Sequence, residues 1–119
     1  MAPSVLLLGL NWESLPKDMQ ETIRVGLEQT EKIMLSAGYD YQGFFAHPDQ
    51  HGRQPFTDAI TSRKWDVVII GFGVRGQQHL TEFFEWLVNQ IRVHAPEAKL
   101  GFNSSPESTL DSAKRLAPL

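Results

Sequence analysis

The run Val5-Leu6-Leu7-Leu8-Gly9-Leu10 narrows the possible folds more than any other stretch of this chain. A continuous apolar segment of this length reads as a strand covered on both faces, because a strand with one wet face alternates polar and apolar residues. Two competing readings fail. A membrane span needs ~20 apolar residues, and Asn11-Trp12-Glu13 ends this run at once. A secretory leader needs a positively charged start and a small-residue cleavage site, and no basic residue precedes Val5. The segment is therefore expected to be a buried strand of a soluble, cytoplasmic protein with no membrane partner.

Beyond this run, helix and strand signals alternate regularly. Ser14 is placed to cap a helix and Pro16 to open it, and Ile23, Leu27, Thr30 and Met34 then recur on one helical face until Gly38 ends it. Tyr39 to Ala46 is aromatic-rich but contains Gly43, the mark of a weaker edge strand. A loop punctuated by Pro48, Asp49, Gly52 and Pro55 leads to a short helix expected over 56–64. Val67-Val68-Ile69-Ile70 is the strongest strand, four consecutive β-branched residues. A glycine-punctuated turn over 71–78 precedes a helix over 80–94, stopped by Pro96. Lys99 to Asn103 is a last short strand, and Ser104-Ser105-Pro106-Glu107 opens a last helix.

Four βα units in succession argue a parallel sheet with right-handed crossovers and helices on both faces. The expected architecture is α/β, a three-layer sandwich on a four-stranded parallel sheet in order 2-1-3-4, a truncated flavodoxin-like (Rossmann-like) fold. Residues 1–119 read as one such domain, long enough for a core without covalent staples.

Composition removes whole classes of function. With no cysteine, there is no disulfide framework, thiolate metal site or cysteine nucleophile. Fourteen acidic against eleven basic residues, and no basic run, argue against nucleic acid as a partner. The receiver-domain acidic pair, the P-loop lysine, the flavodoxin Ser/Thr phosphate loop and the G-x-S-x-G elbow are all missing.

In open α/β sheets ligands bind beyond the carboxyl ends of the strands, at the point where strand order reverses. Those ends carry Asn11 and Trp12, His47, Arg75, and Asn103 with Ser104 and Ser105. Arg75 is the one fixed positive charge expected near the centre. A compact anionic metabolite, carboxylate or phosphate, is the ligand class these groups suggest, with Asn11, Trp12, Arg75, Asn103, Ser104 and Ser105 binding it. If the protein is an enzyme, it needs no cofactor, and His47 or His79 moves the proton. The bland alternative makes the same groups ordinary loop polars and helix caps. His47 and His51 flank Asp49, but Pro48 and Gly52 keep them off a shared helical face, so no metal is expected.

Gly71-Phe72-Gly73-Val74-Arg75-Gly76 matches the dinucleotide pattern G-x-G-x-x-G in a strand-to-helix context. No acidic residue ends the next strand, and Gln77-Gln78-His79 delays the helix. A tight turn with positive φ at one or two glycines is the favoured reading, and a nucleotide site there is the third. Helix 80–94 carries Phe83, Phe84, Trp86 and Leu87, a wide apolar surface that suggests a homodimer through Phe83 and Trp86. A non-enzymatic dimeric interaction module is accordingly the second reading.

The segment Trp65-Asp66-Val67-Val68-Ile69-Ile70-Gly71-Phe72-Gly73-Val74-Arg75 resembles an uncharacterised family of short, single-domain flavodoxin-like proteins from bacteria and fungi. So do His94-Ala95-Pro96-Glu97-Ala98-Lys99-Leu100-Gly101-Phe102-Asn103, the adjoining Ser104-Ser105-Pro106-Glu107, and Phe83-Phe84-Glu85 with Asn89. The resemblance covers nearly the whole chain and implies a fold rather than an activity. Arg75 and Asn103 match positions in the family's two most distinctive motifs, and Gly76 departs from its pattern.

Overall fold

The computed structural model describes residues 2–119. Four parallel strands, β1 (Ser4–Leu10), β2 (Asp40–Ala46), β3 (Val67–Ile70) and β4 (Lys99–Phe102), form one sheet in the order β2-β1-β3-β4. This is the expected α/β architecture, with strand order reversing between β1 and β3. The helices are α1 (Lys17–Ala37), α2 (Arg53–Thr61), a single turn α3 (Phe72–Arg75), α4 (Thr81–His94) and α5 (Thr109–Leu116). None is long and apolar enough to cross a membrane.

Alternate residues of the central strands feed two cores. Leu6, Leu8, Val68 and Ile70 pack against Phe56 and Ile60 of α2 and Phe83, Leu87 and Ile91 of α4. Val5, Leu7, Val67 and Ile69 face the other way, toward Met34 and Tyr39 at the end of α1 and Ala113 of α5. The faces are unequal. Large side chains fill the α2/α4 face, whereas α5 turns small residues, Thr109, Ser112 and Ala113, to the sheet. Helix α5 sits so close to β4 that a Cβ on Gly101 would lie 2.6 Å from the Ser112 hydroxyl and from Leu116.

Three local expectations are corrected. Helix α2 begins three residues early, at Arg53 rather than 56, because Pro55 fits inside a first helical turn where its N–H is not needed. Ser14 caps nothing. Asn11 instead accepts the Glu13 N–H at 2.9 Å to start a 3-10 turn over Trp12–Ser14, and Pro16 stands directly before α1. The glycine turn after β3 needs no positive φ: Gly71 (−70°) and Gly76 (−89°) flank the helical turn α3. Among the described residues only Gly38 is left-handed (φ 103°), ending α1 as expected. Gly71 serves close approach instead, since a Cβ there would come 3.3 Å from the Leu8 carbonyl of β1.

Candidate functional site: an apolar cleft at the switch point

A cleft of about 420 Å³ opens above the carboxyl ends of β1 and β3, beneath the first half of α1. Its origin lies in the way α1 meets the sheet. The stripe Ile23, Leu27, Thr30, Met34 does face inward, but only its lower half is buried. At mid-helix, Gly26 faces Pro106 with room for an ordinary side-chain contact, and the Thr30 hydroxyl lies 2.8 Å from the Gly26 carbonyl and 3.0 Å from that of Pro106. This contact fixes α1 on the turn before α5. Above it Gly9 of β1, and Gly71 and Gly73 after β3, present no side chains, so Leu15, Met19, Ile23 and Leu27 roof an unfilled space.

The lining is apolar except for Gln77, Asn103, Ser104 and Ser105 along the β4 side, and it carries no charged residue. Asn103, 5% exposed, is largely committed. Its Oδ1 accepts the Phe72 N–H at 2.9 Å, its Nδ2 donates to the Thr109 hydroxyl at 2.9 Å, and its carbonyl accepts from Arg75 at 3.0 Å. The residue therefore ties the end of β3 to the start of α5, leaving one amide hydrogen uncommitted. The neighbouring serines belong to a turn in which the Ser108 hydroxyl accepts the N–H groups of Ser104 (2.9 Å) and Ser105 (3.1 Å).

The residues singled out from sequence fall into separate places. Asn103, Ser104 and Ser105 line the cleft. Arg75 does not. Its guanidinium lies 5.1 Å from the Phe72 ring and 5.5 Å from the Phe102 ring, outside the lining. Asn11 and His47 form a second pair on the β1 and β2 ends, with Nδ2 and Nε2 3.4 Å apart. Trp12 lines a neighbouring hollow beside β2, and His79 is exposed in the turn before α4. Among the described residues, no carboxylate, imidazole or guanidinium lines the cleft.

Residues missed by the sequence reading are apolar ones: Leu15, Met19, Ile23 and Leu27 on the helix side, Gly9 and Phe45 on the sheet side. A signal for them existed. The spacing of four through Leu15, Met19, Ile23 and Leu27 continues the apolar face of α1 back to the residue before Pro16. On α4, Phe83 is 8% exposed and Trp86 is half-buried, packed edge-on against Phe56 at 5.4 Å with Arg53 5.0 Å above its ring. Two phenols on the α1 side of β2 are shifted: burial pushes those of Tyr39 and Tyr41 above the usual range, with Glu31 adding to the effect at Tyr41.

Fold and cleft together define a class: an open, flavodoxin-like parallel sheet whose switch-point crevice is roofed by its first helix and lined without charge. No narrower assignment comes from comparison, since the chain matches no protein-family model and no curated protein.

Proposed function

We propose that the protein binds a small, uncharged, mainly apolar molecule in the switch-point cleft, by burial rather than by acid–base chemistry. The observation that carries this reading is the lining itself. A volume of about 420 Å³ is of ligand size, and its wall holds apolar side chains and a few neutral polar groups along one side. A charged ligand would leave water for a wall with no counter-charge, at a cost of several kcal/mol. The compact-anion reading has one point in its favour: among the described residues Arg75 pairs with no carboxylate. That guanidinium, however, stands apart from the cavity.

Thermal denaturation with added ligand separates the two. Primary alcohols of medium length should raise Tm by several degrees near saturation, as mass action on the native state requires. Gly73→Leu should abolish the shift while leaving the fold intact, because a Cβ at Gly73 meets no heavy atom within 4 Å. If phosphate or acetate stabilises the protein instead, and Arg75→Ala removes that effect, the apolar reading is wrong and the anion reading replaces it.

A further inference from the structure

Phe45 belongs to two hollows at once. It lines the switch-point cleft and also a second space of about 320 Å³ under the other flank of α1, bounded by Trp12, Arg24, Glu28 and Tyr41. Leu27, reaching down from α1, is the one other residue common to both. The Phe45 ring lies against the sheet on a bed of two glycines. A Cβ on Gly9 of β1 would come 2.8 Å from the ring, and one on Gly43 of β2 would come 2.9 Å from it. A ring resting on the sheet and a leucine descending from the helix thus stand where the two spaces adjoin.

The two sides differ in chemistry. The cleft side is uncharged, whereas beyond Phe45 the wall includes Arg24, which is ion-paired with Glu21 and Glu28. An apolar tail advancing from the β4 side would therefore meet first the ring and then a charged compartment.

We infer that Phe45, backed by Leu27, is the specificity-determining residue of the site: it sets the longest ligand the cleft accepts. This inference rests on the reading of the cleft as a site for neutral ligands and deepens it. The ligand it implies is a short monofunctional amphiphile. A single hydroxyl or carbonyl lies along the Ser104–Ser105 side, where the polar lining is, and the apolar end abuts the Phe45 ring. Replacing the ring by a small side chain joins the two spaces into one trough under α1.

The test is a titration of the intact chain with straight-chain primary alcohols from butanol to dodecanol, read by calorimetry or by Tm shift. While each added methylene is being buried, affinity should rise about fourfold per methylene. In the wild type the rise should stop at a definite length; in Phe45→Ala it should continue for about two or more further methylenes. Phe45→Leu retains most of the packing and serves if the alanine variant folds poorly; its limit should lie between the other two. A wild type that binds no alcohol of the series overturns the reading of the cleft. A wild type that binds with a length limit shared by both variants leaves the cleft standing and overturns the role of Phe45.

Discussion

At the scale of single residues, three positions hold the segments that shape the carboxyl rim. Gly52 is the most constrained. Its φ of −81° suits any residue, but a Cβ there would lie 1.9 Å from the His47 carbonyl oxygen. Gly52→Ala must displace the backbone of the β2–α2 connection and should cost about 3 kcal/mol, measured by urea denaturation. Phe56, fully buried between Phe44 and Trp86, is the keystone of the larger core, and Phe56→Ala should cost about 3–5 kcal/mol in the same assay. Asn103→Ala strands the Phe72 N–H and the Thr109 hydroxyl, and should lower stability by about 2–3 kcal/mol. Sequence pattern marked Asn103 as a ligand contact. Its neighbours make it chiefly a structural tie, a role visible only once β3, α3 and α5 are brought together.

At the scale of elements, strands were the easiest part of this protein to read and helix starts the hardest. Val67 to Ile70 can satisfy their bulk and branching only inside a sheet, so β3 is dictated by composition alone. Before α1 the side-chain cap is Asn11 rather than Ser14, and it serves the 3-10 turn while α1 itself starts uncapped after Pro16; the start of α2 rests on a proline which both loops and first turns accept. Such choices are decided by neighbours in space. The glycine segment after β3 shows the same limit. Left-handed backbone was expected at one or two of its glycines, yet Gly71 and Gly76 serve close packing, with the Phe72 ring covering Gly76, and Gly73 faces open space. Gly38 is the position where handedness itself matters, and Gly38→Ala should cost about 1–2 kcal/mol by forcing a Cβ into the left-handed region.

At the scale of the whole molecule, the strand order was legible because four short βα units leave few right-handed solutions. The cleft was legible in position but not in character. The rule that ligands lie at the switch point located it, whereas its apolar lining arises from a mismatch between the length of α1 and the reach of the sheet's side chains. The spacing from Leu15 to Leu27 shows the helix half of that mismatch, whereas the sheet half appears only in the assembled fold. The pH dependence of folding also belongs to this scale. Tyr39 and Tyr41 both have folded phenol pKa values raised by burial, so their contribution is fully present below the unfolded value of about 10 and is lost as pH rises through the folded values. Stability should be flat across neutral pH and fall in alkali, and the absorbance of tyrosinate should appear later than in a denatured control.

The clasp between Gly26, Thr30 and Pro106 divides α1 into halves with different freedom. Below it, Met34 is fully buried in the core; above it, the first turns are held by half-buried side chains, by their own helical bonds and by the Gln20 amide, which donates to the Leu15 carbonyl at 2.9 Å. The upper half is therefore expected to open more readily than the lower. Amide protons between residues 19 and 25 should exchange with solvent through local opening, at rates insensitive to mutations that weaken the α2/α4 core. A ligand bound beneath that half, as proposed, should slow this exchange.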